Sequence, residues 1–182
     1  ALFCRAEIIG ADSEPAFSMA DFVKGFISPA HRREVELAGE AGVAALLHGN
    51  FIMAPTLCFR KSVLGGRRFP GEYRFVLDQE LTTEILFDGD VLVGLPARCY
   101  RYRRHGDNAT EQLTRTAVRF REESEFYDRM RDKVAARGWR RCERIARQKR
   151  MLKLNLAYRA LKSAAQLQLG EAMRGLKLLR EL

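Results

Sequence analysis

The chain has 182 residues and a mass of 20.8 kDa, with 47% apolar, 9% aromatic and 30% charged residues. That apolar share sustains a core and excludes general disorder, and no run of about 18 apolar residues occurs that would span a membrane as a helix. The net charge of +9 divides unevenly: residues 1–114 hold 13 Lys+Arg against 15 Asp+Glu, and residues 115–182 hold 19 against 8. A near-neutral body followed by a basic tail is the expected organisation.

Ala1 to Ile9 reads as a strand, followed by a turn at Gly10-Ala11-Asp12. An interior-type strand at the very start, with neither an initiator Met nor a signal peptide, makes a fragment of a longer chain the expectation. Residues 13–27 mix loop and short apolar segments. Ser28-Pro29 offers a helix start, and the helix is expected to run to about Leu47 and to stop at His48-Gly49-Asn50. Phe51 to Cys58 looks extended around Pro55, and Phe59 to Leu64 suits a short helix ended by Gly65-Gly66. A loop rich in glycine and arginine leads to Phe75-Val76-Leu77, and a helix follows from Gln79 to Phe87. Val91-Leu92-Val93 reads as a short buried strand, and Ala97 to Arg103 as an alternating one that begins after Pro96.

The remainder is helical in character: one segment over 115–137, closed by Gly138, a longer one over 139–169, closed by Gly170, and a third in the last dozen residues. Met151, Leu154, Tyr158, Leu161 and Ala165 recur at helical spacing. Short strands and helices alternate to about residue 105 and helices alone follow, so the expected architecture is an α/β body over 1–114 with a helical extension over 115–182. Four scattered cysteines, at 4, 58, 99 and 142, fit neither a paired-Cys zinc site nor a small disulfide framework. Buried free thiols in a reducing compartment are expected of them.

The segment from His48 to His105 carries the functional information. In order it holds Gly49-Asn50, Phe59-Arg60-Lys61-Ser62-Val63-Leu64, Arg68-Phe69, Leu77-Asp78-Gln79-Glu80-Leu81, Asp88-Gly89 and Tyr100-Arg101-Tyr102-Arg103-Arg104-His105. This order resembles the acceptor-side half of a family-2 glycosyltransferase of the GT-A fold, a Rossmann-like α/β architecture, over roughly residues 1–125. Of the family's "E-D" only the second acid stands here, as Asp78 after Leu77. The "G-x-F-D" element is degenerate around Arg67-Arg68-Phe69, and the nucleotide-binding half with its metal-binding "D-x-D" has no counterpart. Asp88-Gly89-Asp90 is a literal D-x-D, but it lies between a helix and a strand and reads as a turn, with Gly89 ending the helix.

The resemblance implies an inverting transfer from a nucleotide-sugar donor to a glycan or lipid-linked acceptor, in the cytoplasm, at the inner face of the cell membrane. It makes Asp78 the catalytic base; helix capping alone also explains an Asp there. It gives Gly49 and Asn50 to the acceptor pocket, although helix termination accounts for both. Glu80 would bind acceptor hydroxyls or serve as an ordinary first-turn acid. Arg101, Arg103 and Arg104 supply donors suited to phosphate. His105 would hold the diphosphate or a divalent metal, Mg²⁺ or Mn²⁺, or it is a loop histidine in a basic cluster. The principal metal ligands would belong to the half without a counterpart here.

The basic stretch Arg140, Arg141, Arg144, Arg147, Lys149, Arg150 and Lys153 suits a solvated helix face or an anionic membrane surface. Nucleic acid is not expected as a partner, since only Trp139 and Tyr158 are aromatic there. The alternative to an enzyme is a basic helical module that binds nucleic acid or a partner protein.

Overall fold

Strand β3, Leu92–Arg103, is the middle of a three-stranded sheet in the order β1-β3-β2. The computed structural model describes residues 1–104 and 109–182. Two compact units divide the chain. One takes Ala1–Glu72 and, of the described residues, 77–104; the other takes Tyr73–Val76 and Ala109–Leu182. The first unit is mixed α/β and the second is helical.

In the first unit, β1 (Leu2–Ile9) runs parallel to β3 and β2 (Val35–Leu37) antiparallel to it. Two expected strands, split at Pro96, are thus one. Phe3 faces Gly94 and Arg5 faces Arg98, so two residues of β1 match four of β3. Pro96, which has no N–H to give, falls inside that bulge. A second register shift lies between Arg5 and Ala6, whose partners are Arg98 and Tyr100. Gly94 is required by close approach. A Cβ there would stand 2.5 Å from the Phe3 ring and 2.9 Å from the Ala30 side chain.

Helix α1, Met19–Ile27, fills the region read as loop; Ser18 caps it, its hydroxyl accepting the Asp21 amide at 3.4 Å. The single helix expected over 28–47 does not form. Pro29–His31 makes one 3₁₀ turn, Val35–Leu37 joins the sheet as β2, and Gly39 takes φ +52° before helix α2, Gly39–His48. β-Branched Val35 and the pairing of Leu37 with Leu92 favour the strand, and the left-handed glycine separates it from the helix. Phe51 to Cys58 is interrupted by a 3₁₀ turn at Ala54–Thr56, while Cys58 bridges to Leu2. Helix α3 is Lys61–Leu64, and helix α4, Leu77–Phe87, begins two residues ahead of its expected start.

The core of this unit lies between α2, α4 and the sheet. Val43, Ala44, Leu46, Leu47, Ile85 and Leu92 are fully buried. Gly42 lets the helix close in, with a Cβ position 3.1 Å from the Leu37 backbone and 3.2 Å from Leu86. Gln79 Nε2 donates to the Leu46 carbonyl at 3.3 Å, and the Thr82 and Thr83 hydroxyls bond back to the α4 backbone.

In the second unit, helix α5, Ala109–Arg115, precedes helix α6, Val118–Ala136. Gly138, at φ +75°, follows α6 as anticipated. The long helix expected over 139–169 is two, α7 (Arg140–Gln148) and α8 (Arg150–Ala165). Lys149 parts them in the left-handed conformation, φ +48°. Its buried Nζ donates to Asp128 at 2.8 Å and to Ser124 at 2.9 Å. Leu167, at φ +58°, then ends the run ahead of Gly170, which instead opens helix α9, Leu169–Glu181. Segment Tyr73–Val76 is fixed to α6: the buried Glu122 carboxylate accepts the Arg74 amide at 3.0 Å and the Phe75 amide at 2.6 Å. The guanidinium groups of Arg119 and Arg129 stack on Phe75 and Tyr73, 4.7 Å from each ring.

Of the four cysteines only Cys142 is buried; Cys4 is half-buried and Cys58 and Cys99 are exposed. Sheet edges and loops, where a thiol reaches solvent, host three of the four. Among the described residues no helix is long and apolar enough to cross a membrane.

Candidate functional site

Asp78 is the second residue of α4 rather than the residue capping it. The N–H groups of Asp78 and Gln79 are within reach of its carboxylate. Asn50 Nδ2 donates to Asp78 Oδ2 at 3.5 Å, and Asn50 Oδ1 accepts the Ile52 amide at 3.2 Å. Gly49, buried with extended backbone, closes α2 and delivers Asn50 to this position. Gly49-Asn50 and Asp78 are separate candidates in the sequence, and the fold brings Asn50 and Asp78 together.

Asp78 is half-buried. Burial raises its proton affinity above the ordinary carboxylate range, against the opposing pull of the Lys24 charge, the Asn50 hydrogen bond and the helix N–H groups. A carboxylate of raised basicity is suited to taking a proton from a hydroxyl. Glu80 lies half-buried two residues on, on a different side of the helix.

Lys24 belongs to α1 and also lines a cavity of about 480 Å³ formed with β1. Phe3, Phe22, Phe51 and Met53 contribute apolar wall, and Arg5 and Arg98 join Lys24 as cationic lining. The wall thus begins one residue beyond Asn50. Lys24 and this cavity escaped the sequence reading because α1 did. Ser18 with Asp21 three residues on, followed by Phe22, Val23, Phe26 and Ile27 at helical spacing, was the available signal.

The three arginines at the end of β3 tie neighbouring segments together. Arg101 Nε pairs with Glu7 at 2.9 Å. Arg103 donates to the Gly10 and Ala11 carbonyls and the Ser13 hydroxyl at 2.8–2.9 Å. Arg104 grips both oxygens of Asp21 at 2.6–2.9 Å and lies over Tyr102. The Arg101 guanidinium is largely exposed beside its Glu7 partner, so anion binding there is compatible with the tie. His105 lies outside the described residues.

Asp88 and Asp90 flank Gly89, at φ +94°, and both pair with Arg67, at 2.8 and 3.0 Å. The D-x-D is a turn closed by an arginine. Among the described residues no three His, Cys, Asp or Glu side chains gather into a possible metal site.

Comparison of this chain with protein-family models, with curated proteins and with solved structures finds no match.

Proposed function

We propose that this chain is the acceptor-side portion of an inverting glycosyltransferase of the GT-A, family-2 type, with Asp78 as general base. The observation that carries the reading is Asp78 with its Asn50 hydrogen bond and the nearby charge of Lys24, which also lines the cavity. It joins a carboxylate of raised basicity, an amide hydrogen-bonded to it and, through Lys24, a space about large enough for a saccharide unit.

In this mechanism an acceptor hydroxyl enters from the cavity and its oxygen approaches the anomeric carbon of the nucleotide sugar. Asp78 takes the hydroxyl proton as the new C–O bond forms. The bond to the nucleoside diphosphate breaks on the opposite face, so the anomeric configuration inverts. Asn50 holds the carboxylate oriented, and Lys24 keeps enough of it ionised to act. Arg101, Arg103 and Arg104 offer donors to phosphate oxygens. A divalent Mg²⁺ or Mn²⁺ would neutralise the leaving diphosphate, but the described residues supply no cluster to hold one, and no step here depends on it. A nucleotide-sugar donor assigns the reaction to the cytoplasm.

The test is transfer of labelled sugar by the product of the complete reading frame, assayed across nucleotide sugars with Mn²⁺. Asp78→Asn should lower turnover by roughly 10²–10⁴-fold while donor binding survives. Turnover within a few-fold of the parent rejects Asp78 as the base. Absence of transfer with every donor, together with salt-sensitive retention of nucleic acid, would favour the basic binding module.

A further inference from the structure

Helix α8 has two apolar faces. Leu152, Leu156 and Ala160 are buried against the helical unit. Leu154, Tyr158 and Leu161 form the opposite line and face solvent, Leu161 at 72% exposure. The sequence spacing around Met151 to Ala165 therefore does not mark a core seam alone. Helix α9 repeats the arrangement. Ala172 is buried, and Leu169, Met173 and Leu176, at i, i+4 and i+7, face outward, Met173 at 70% exposure. Leu167, in the connector between them, is also exposed. A helix that needed only to cover a protein core would place polar residues along such a line.

The charge around these lines is one-sided. Residues 150–165 carry Arg150, Lys153, Arg159 and Lys162 and no acid. Arg174, Lys177 and Arg180 follow in α9 against Glu171 and Glu181. On α8, Arg150 and Lys162 flank the Leu154–Tyr158–Leu161 line at helical angles. The two helices pack tightly on each other, since a Cβ on Gly175 would lie 3.2 Å from Ala160 Cβ.

We propose that the outward faces of α8 and α9 dock this protein on an anionic lipid bilayer, with their leucines and Met173 in the interface and the flanking Lys and Arg on lipid phosphates. Apolar insertion and cationic attraction each contribute, and neither alone gives firm attachment. A second copy of the chain would set this cationic surface against itself, which opposes self-docking. A nucleic acid would satisfy the charges and leave the leucines unexplained, with Tyr158 the sole aromatic on the two helices. The proposal concerns the helical unit and does not rest on the glycosyltransferase reading.

The full chain should co-sediment with vesicles of phosphatidylcholine containing about a third phosphatidylglycerol, and much less with phosphatidylcholine alone. Molar salt should release a large share of it, because screening shortens to about 3 Å there. Leu154→Ser with Leu161→Ser, and separately Arg150→Gln with Lys162→Gln, should each weaken retention by about tenfold or more with unchanged far-ultraviolet circular dichroism. Tyr158→Trp keeps the question open to measurement if the leucine variant fails to fold: its added emission should shift blue on adding anionic vesicles. No retention of the parent chain, equal retention on neutral vesicles, a leucine variant that is folded and binds like the parent, or unshifted Tyr158→Trp emission would each overturn the proposal. So would a parent dimer that the leucine variant dissociates without any change in vesicle binding.

Discussion

Asn50 is held at both ends of its amide: Nδ2 donates to Asp78 Oδ2 at 3.5 Å, and Oδ1 accepts the Ile52 amide at 3.2 Å. The residue that steadies the carboxylate is therefore itself steadied by its own loop. Asn50→Ala should loosen Asp78 and, in the complete enzyme, lower turnover by about tenfold, with a smaller change in acceptor KM. Asn50→Asp should be worse than Asn50→Ala, because it sets two carboxylates against each other. Steady-state kinetics on the two variants decide the order.

Asp78 also makes a signed prediction for stability. Its folded-state proton affinity is raised, chiefly by burial. Such a group contributes stability that is fully present below its unfolded pKa and is lost as pH rises through the folded value. Asp78→Asn removes that loss. The Tm of the variant minus that of the parent should therefore grow as pH rises from the acid side through and beyond the ordinary carboxylate range. Thermal melts over a pH series check this, and a difference that shrinks with rising pH contradicts the burial of Asp78.

Gly94 leaves no room for a side chain. The Phe3 ring against it is buried and packs on Phe51 with centroids 5.8 Å apart, so it cannot easily swing away. Gly94→Ala should destabilise the first unit by about 1–3 kcal/mol through overpacking. Denaturant unfolding followed by hydrogen exchange at β1 and β3 would show the loss.

Lys149 adopts a left-handed backbone and buries an ion-paired ammonium. Lys149→Ala keeps the backbone cost and loses the hydrogen bonds to Asp128 and Ser124. Lys149→Gly loses the same bonds but relieves the backbone, a difference of about 1–2 kcal/mol. The glycine variant should thus melt above the alanine variant, with both below the parent.

Thiol reactivity should follow the strands rather than the expectation of four buried cysteines. Cys58 and Cys99 should be alkylated before Cys4, whose thiol is pushed up by burial beside Cys99, and Cys142 should react last or only on unfolding. Timed alkylation with mass mapping gives the order.

Much of this was legible because it was local. The strand at Leu2–Ile9, the short helix before Gly65, the turn at Asp88-Gly89-Asp90 and the stop at Gly138 each depend on neighbouring residues. The failures share a different cause. Val35–Leu37 sits in a run with helical spacing and becomes a strand because β3 offers Leu92 and Gly94 to pair with. Lys149 breaks a helix because Asp128 and Ser124, far back in the chain, hold its ammonium. Pro96 looks like a boundary until β1 supplies a bulge to hold it. In the candidate site, Asn50 and Asp78 stood out singly. The part played by Lys24 depends on α1, whose local signal at Ser18, Asp21 and the apolar spacing spans only nine residues, and the cavity depends on how that helix meets β1.

The parallel pairing of β1 with β3 also sets an order of events during synthesis. Glu7 meets Arg101, 94 residues later, so a nascent chain has made β1 long before its partner leaves the ribosome. Until then Leu2, Phe3, Ile8 and Ile9 belong to an unmated apolar strand, the kind of edge that recruits other chains. Translation pausing ahead of Leu92 should prolong that exposure, and a chaperone that holds extended apolar segments should engage β1 over this interval and release it once Arg103 has emerged.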